Sequence, residues 1–181
     1  MKKRVFIIHG WESSPESNWF PWAKRELEKL SYEVTVPMMP TPMFPKKEEW
    51  VEYIKKLVRA PDKEMLLMGH SLGVIAILRY LESLENEERI NKAILVAGFS
   101  ESIKFPVVEN FFQPPLNYEK IKTKASDFII IHSDNDPYVP LIYAETMKEK
   151  LNGKLTVISG GGHLNYENGT FELPLILEKI K

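Results

Sequence analysis

The stretch that decides the fold is Met65-Leu-Leu-Met-Gly69-His70-Ser71-Leu72-Gly73-Val74. An apolar run typical of a buried strand leads into a Gly-x-Ser-x-Gly motif, and a helical run as far as Leu84 follows it. A strand, a tight turn and a helix in this order are the context of a nucleophile elbow, which lifts a serine Oγ above the edge of a sheet. The stretch therefore marks Ser71 as a candidate nucleophile. The alternative is a glycine-flanked turn that carries an inert serine.

Short apolar runs recur along the chain, at a spacing that leaves room for helices between them. Besides 65–68, they lie at 5–8, 32–36, 93–97, 128–131 and 155–158. Most are continuous rather than alternating, which is typical of strands covered on both faces, and the segments between them repeat their apolar residues at helical spacing. The pattern predicts an α/β fold with about six mostly parallel strands in the order 2-1-3-4-5-6 and helices on both faces.

The composition narrows the class of protein. A length of 181 residues is typical of one domain, and we expect a single domain over residues 1–181. The formal net charge of −1 provides no field to attract nucleic acid or an anionic membrane. The lack of cysteine excludes disulfides, thiolate metal sites and cysteine nucleophiles, and it fits a reducing compartment. No apolar run reaches about 18 residues, and the run after Arg4 is too short for a signal peptide. We therefore expect a cytoplasmic protein that does not span a membrane.

A serine hydroxyl needs a base, and the chain offers four histidines: His9, His70, His132 and His163. His70 adjoins Ser71, so its side chain should project away from the serine Oγ. His163 follows the glycine-rich turn at 159–162, which can present a side chain over the sheet. It also completes the chain order serine, aspartate, histidine. The sequence favours His163 as the base.

The loop after the fifth predicted strand, residues 133–140, offers two acids to orient that base. Asp136 directly precedes Pro137 at the entry to the next helix, which favours it over Asp134. The other aspartate would cap the helix or hold the loop through bonds to the backbone. An Asp-x-Asn-x-Asp run is also a feature of calcium loops, but the glycine and the distal glutamate of that pattern are absent here. We predict no metal site.

Acyl transfer also requires donors for an oxyanion. The backbone N–H of Leu72, directly after Ser71, is one candidate. The loop after the first strand supplies the other, with the N–H of Trp11 preferred and that of Gly10 second. In the predicted strand order, strands one and three are neighbours, so both loops lie at the carboxyl edge where ligands bind in open α/β sheets.

Two segments break the alternation of strands and helices. Residues 37–48 carry four prolines and form an extended loop, and residues 99–120 are aromatic and broken by prolines. The second is either a binding loop, a small lid or a packed irregular connection. From these segments and the first loop we predict an apolar pocket of Trp11, His9, Phe44, Phe105, Phe111 and Phe112.

Several of these motifs together resemble the α/β-hydrolases. They are His9-Gly10, Gly69–Gly73, Asp134–Pro137 and Gly162-His163. Residues 19–28, 38–40 and 118–122 are similar to the compact serine hydrolase branch of YdeN-like and retinoblastoma-binding-protein-nine-like proteins. The resemblance covers nearly the whole chain. It implies a triad of Ser71, Asp136 and His163 and no cofactor, and the Asp-Pro pair supports Asp136 over Asp134. A chain of 181 residues has little sequence to spare for a large cap domain.

The function expected from this reading is hydrolysis of small acyl esters, with thioesters or activated amides as further substrates, through an acyl-enzyme on Ser71. A site without a cap domain favours short acyl chains. The alternative is a binding module that keeps the hydrolase scaffold and acts on a protein partner, because a fold alone does not establish an activity.

Overall fold

A single parallel sheet of six strands forms the centre of the molecule. The computed structural model describes residues 3–180, so Met1, Lys2 and Lys181 lie outside it, including part of the basic run before the first strand. The strand order is β2-β1-β3-β4-β5-β6, and every neighbouring pair is parallel. The predicted order and number of strands are confirmed. The strands are β1 (Arg4–Ile8), β2 (Glu33–Thr35), β3 (Leu66–His70), β4 (Ile90–Val96), β5 (Ala125–Ser133) and β6 (Lys154–Ile158).

Helices connect the strands and cover both faces of the sheet. They are α1 (Phe20–Lys29), α2 (Lys47–Val58), α3 (Leu72–Ser83), α4 (Tyr118–Lys122), α5 (Ile142–Leu151) and α6 (Leu175–Lys179). Short 3-10 turns lie at Pro106–Phe112 and Tyr166–Asn168. α5 ends at Leu151, because Asn152 adopts a left-handed conformation with φ of +52° and Gly153 follows it. Among residues 3–180, no helix has the length and apolarity needed to cross a membrane.

Two apolar layers sandwich the sheet. Alternate residues of each strand point to opposite faces, so Phe6 and Ile8 of β1 pack in one layer while Val5 and Ile7 pack in the other. The first layer includes the apolar faces of α2, α3 and α5, and the second those of α1 and α6. All five residues of β3 are buried. Burial on both faces explains why the strands read as continuous apolar runs.

The segment that joins β4 to β5 is anchored to the core rather than forming a separate cap. Within it, Phe111 is fully buried and Phe112 nearly so. The buried guanidinium of Arg79 on α3 donates to the carbonyl oxygen of Phe111 at 2.7 Å and to that of Pro114. A cation this deep in the core requires such acceptors. The contacts bind the 3-10 turn to α3 and leave the residues before it over the carboxyl edge of the sheet.

Candidate active site

Ser71 occupies a strained turn between β3 and α3. Its backbone has φ of +53° and ψ of −120°, a region that non-glycine residues seldom adopt and that costs about 1–3 kcal/mol. The turn is fixed on both sides, because the Ser71 N–H donates to the Val96 carbonyl at 3.0 Å and the Ser71 carbonyl accepts from Val74 N–H at 3.0 Å. The local geometry is that of the nucleophile elbow expected from the sequence.

The elbow depends on a close approach between α3 and β1 that only glycine allows. A Cβ atom placed on Gly73 would lie 2.1 Å from the carbonyl oxygen of Ile8, well inside van der Waals contact. A Cβ on Gly69 would lie 2.9 Å from the Gly73 carbonyl oxygen. The two glycines of the motif therefore let the first turn of α3 lie directly against the end of β1.

Asp136 and His163 form a buried hydrogen-bonded pair. The Asp136 Oδ2 lies 2.7 Å from the His163 Nδ1, while Oδ1 accepts from the N–H groups of Tyr138 and Val139 at 2.9 Å each. Burial works to raise the pKa of Asp136, but the hydrogen bond and charge of His163, with the two amide donors, hold it below its usual value. Asp136 is therefore an ionised acceptor that fixes the orientation of the imidazole.

Asp134 has a different position and different partners. Its carboxylate accepts from the Ser159 hydroxyl and from the Gly160 N–H, both at 2.8 Å. These bonds lower the pKa of Asp134. The neighbouring Asn135 accepts from the Gly162 N–H at 2.8 Å. Asp134 thus holds the glycine-rich turn before His163, while Asp136 contacts the imidazole.

Two further histidines contact the Asp136–His163 pair. The Nε2 of His70 donates to the carbonyl oxygen of His163 at 2.9 Å. The Nε2 of His132 donates to the Val139 carbonyl at 2.8 Å and lies 3.7 Å from the Asp136 Oδ2. Burial lowers the pKa of both histidines, that of His70 to about 3. Both are therefore neutral near pH 7. The sequence analysis named His70 and His132 as candidate bases, but it did not predict which groups their side chains contact.

Ser71 and His163 open into one cavity of about 700 Å³ at the carboxyl edge of the sheet. One part of the lining is apolar, with Trp11, Leu72, Phe99, Ile103, Phe105 and Val108. The part next to His163 is polar, with Ser17, Asn18, Tyr138, Asn165, Tyr166 and Glu167. The Tyr138 ring stands edge-on to the His163 imidazole at 5.1 Å. The volume is that of a small-molecule site.

Backbone donors lie beside Ser71. A Cβ built on Gly10 would be 3.1 Å from the Ser71 Cβ and 3.6 Å from its Oγ, so the loop after β1 passes directly over the serine. Neither the Trp11 N–H nor the Leu72 N–H has an acceptor within residues 3–180. Both residues line the cavity. Free N–H groups on residues that line the same cavity as Ser71 are suited to an oxyanion.

The predicted pocket was wrong at four positions. His9 is completely buried, with its Nδ1 donating to the Gly10 carbonyl at 2.8 Å and its Nε2 accepting from the Met39 N–H at 2.9 Å. Phe44 is 73% exposed and points to solvent. Phe111 and Phe112 pack inward, against Trp50 and Phe99 respectively.

Only Phe105 of the predicted phenylalanines lines the described cavity. Its ring contacts that of Trp11 edge-on at 5.0 Å. Sequence reasoning missed Ile103, Val108 and Tyr138 as lining residues, although Tyr138 lies on the acid loop and could have been proposed from that position. Within residues 3–180, no group of three or more His, Asp or Glu side chains is arranged to hold a metal ion.

The comparisons with known structures agree with this architecture. The crystal structure of the ydeN gene product from Bacillus subtilis has 30% sequence identity and a TM-score of 0.94, with 99% of this chain and 97% of that chain covered. A bromoperoxidase from Bacillus anthracis has 15% identity and a TM-score of 0.74, covering 99% of this chain and 92% of its own. At that identity, the likeness concerns the fold alone. The fold is the α/β-hydrolase fold.

The sequence comparisons identify the family. The chain is 31% identical over 181 residues to YdeN of Bacillus subtilis (strain 168), which covers 99% of this chain and 95% of YdeN. It is 25% identical over 156 residues to the serine hydrolase RBBP9 of Rattus norvegicus, covering 84% of this chain and 80% of RBBP9. The family model of the serine hydrolases matches residues 5–181. This chain therefore belongs to the serine hydrolase family.

Proposed function

We propose that the protein cleaves acyl esters of small molecules, with Ser71 as the nucleophile, His163 as the general base and Asp136 as the group that orients it. The observation that carries the proposal is the buried 2.7 Å contact between Asp136 and His163, together with one cavity that both His163 and the strained Ser71 line. A buried carboxylate, an imidazole and a serine in this order are the components of a hydrolytic triad. Balanced charge and the lack of cysteine support a cytoplasmic enzyme with a small-molecule substrate.

Acylation begins when His163 Nε2 takes the proton from the Ser71 hydroxyl. The serine oxygen then attacks the ester carbonyl carbon, and the carbonyl oxygen becomes an oxyanion. Asp136 accepts the hydrogen bond from Nδ1, which keeps Nε2 available as the base and stabilises the imidazolium. Collapse of the intermediate breaks the bond to the alcohol oxygen, and that oxygen takes the proton from His163.

Deacylation repeats the same proton transfers with water. His163 removes a proton from a water molecule, the hydroxide oxygen attacks the acyl carbon, and the bond to Ser71 breaks. The serine oxygen recovers the proton, and the carboxylic acid leaves. One base thus serves both half-reactions, as expected for nucleophilic catalysis by serine.

The N–H groups of Leu72 and Trp11 are the proposed oxyanion donors. Their lack of acceptors within residues 3–180, and the passage of Gly10 over the serine side chain, support this role. Each such donor contributes about 10²–10³ in kcat. The apolar lining around Trp11 and Phe105 suits a short acyl group, while the polar lining next to His163 suits the alcohol, which must receive its proton there.

The test is covalent labelling of the purified protein by a fluorophosphonate probe. Wild type, Ser71→Ala and His163→Ala are compared, with p-nitrophenyl acetate, butyrate and octanoate as turnover substrates. We expect wild type to label, Ser71→Ala not to label, and both variants to lose about 10⁵–10⁶ in kcat. Absence of labelling in folded wild type would contradict the proposal and favour the alternative of a binding module.

A further inference from the structure

The side chain of His70 connects the elbow that carries Ser71 to the loop that carries His163. His70 is the last residue of β3, directly before Ser71, and is only 3% exposed. Its Nε2 lies 2.9 Å from the carbonyl oxygen of His163, and the two imidazole centroids are 5.0 Å apart. Since a carbonyl oxygen can only accept, the Nε2 of His70 carries the hydrogen. The bond joins segments that are 93 residues apart in the chain.

The surroundings of His70 hold its ring in this donor form. Trp19 and Phe20 contact it edge-on at centroid distances of 6.3 and 5.9 Å. Burial, followed by the charge of His163, lowers the pKa of His70 to about 3. The imidazole of His70 is therefore neutral near pH 7. A neutral, packed ring with one fixed N–H is a rigid donor.

The loop around His163 is bonded to the loop after β5 through Asp134 and Asn135, and the bond to His70 joins it to the elbow. Both neighbours of His163 have left-handed backbone conformations, with φ of +57° at Gly162 and +49° at Leu164. For Leu164 this conformation is unfavourable. The His163 N–H is held within the same loop, by the Asn168 side chain at 2.8 Å. The backbone carbonyl of His163 is joined to the elbow by the hydrogen bond from the His70 side chain.

We propose that His70 is a positioning residue that sets the distance between His163 and Ser71 by holding the His163 carbonyl group. The inference rests on the proposed function, in which a proton passes between the Ser71 Oγ and the His163 imidazole. The transfer depends on hydrogen-bond reach, and a misplacement of about 1 Å can cost about 100-fold in rate. His70 thus contributes to the rate without contacting the reacting atoms.

The test compares two amide substitutions that differ in reach. In His70→Gln the side-chain amide nitrogen can occupy the position of Nε2, whereas in His70→Asn it is one methylene too short. We expect fluorophosphonate labelling and kcat to fall about tenfold to hundredfold in His70→Asn, with little change in KM, and to stay within about threefold of wild type in His70→Gln.

Leu151→Ala controls for loss of stability. Leu151 is buried at the end of α5, at the edge of the sheet away from the cavity, and its truncation destabilises the core without touching the site. We expect Leu151→Ala to label at the wild-type rate while it remains folded. Equal reductions of the labelling rate in His70→Asn and Leu151→Ala, or labelling of His70→Asn at the wild-type rate, would overturn the positioning role of His70. Neither outcome would contradict the proposed function. Failure of wild type to label would overturn the proposed function and this inference together.

A second measurement does not depend on any variant folding. In ¹⁵N-labelled wild type, NMR should detect a protected proton on the Nε2 of His70 and none on its Nδ1. Protonation on Nδ1 instead would mean that the bond to His163 is absent and would overturn the inference.

Discussion

Asp136 Oδ2 accepts the Nδ1–H of His163 at 2.7 Å, although the two residues are 27 positions apart and lie on different loops. Asp134, two residues earlier in the chain, contacts the same glycine-rich loop without contacting the imidazole. The two aspartates therefore have separable effects. Asp136 orients the His163 imidazole, and Asp134 holds the turn that precedes it.

Replacing Asp136 by Asn should lower kcat by about 10⁴, because an amide can donate to Nδ1 and favour the wrong imidazole tautomer. Asp134→Asn is the matched control, since it removes the same charge from the same loop. We expect it to cost no more than about tenfold, the loss of one or two hydrogen bonds to the turn. Ester turnover and probe labelling measure both. A larger loss in Asp134→Asn than in Asp136→Asn would exclude the proposed role of Asp136.

Phe105 and Phe111 should differ in what their truncation changes. Phe105→Ala removes part of the cavity wall, so kcat/KM for p-nitrophenyl butyrate should fall about tenfold while that for the acetate changes less. Phe111→Ala leaves a hole beside Trp50 and should lower the free energy of unfolding by about 3–5 kcal/mol. Urea unfolding and kinetics on the two esters separate these outcomes. Selectivity that changes in Phe111→Ala but not in Phe105→Ala would contradict this assignment of the pocket wall.

Gly73→Ala should be among the most damaging small substitutions in the chain. Its Cβ would lie 2.1 Å from the Ile8 carbonyl oxygen, so α3 must move away from β1. We expect a loss of about 3 kcal/mol or more in the free energy of unfolding. Gly169→Ala is the control, because its φ of +79° strains an alanine while no atom lies within 4 Å of the new Cβ. That variant should lose only about 1–2 kcal/mol. Equal losses in the two variants would contradict contact with β1 as the reason for glycine at position 73, where the backbone is helical.

Stability should fall as the pH drops below 6.5. The pKa of His70 is about 3 in the folded protein, against 6.5 for a solvated histidine. Between these values the unfolded chain binds a proton that the folded chain does not. The free energy of unfolding should therefore decrease by up to about 1.4 kcal/mol per pH unit from this residue. His9 and His132 act in the same direction, because burial also lowers the pKa of each.

Urea unfolding at pH 7.5, 5.5 and 4.5 measures this dependence. His70→Gln carries no titrating group at that position, so the decrease in the free energy of unfolding between pH 7.5 and 4.5 should be smaller in this variant. A pH dependence identical to that of wild type would show that His70 is not held neutral in the folded state.

Much of the architecture was predictable from local patterns. The continuous apolar runs predicted the strands, because the inner strands of a parallel sheet with two covered faces need apolar residues on both sides. The sequence around Gly69 to Gly73 predicted the elbow, because the tight turn and the close approach of α3 to β1 need small residues within a few positions of Ser71. The strands and the elbow are marked by residues that lie within a few positions of one another, so the sequence pattern was sufficient to predict them.

The composition of the cavity was decided by tertiary structure. The segment from residue 99 to 120 has no regular period, so nothing in its pattern indicated that Phe105 faces the cavity while Phe111 and Phe112 face the core. The bond from His70 to His163 joins the end of β3 to the loop after β6, and these segments meet only when β3, β5 and β6 lie in one sheet. By itself, the sequence determined the sheet, its helices and the elbow at Ser71. Which side chains meet around that serine was decided only when distant loops were brought to one edge, because side-chain direction in irregular segments follows packing rather than periodicity.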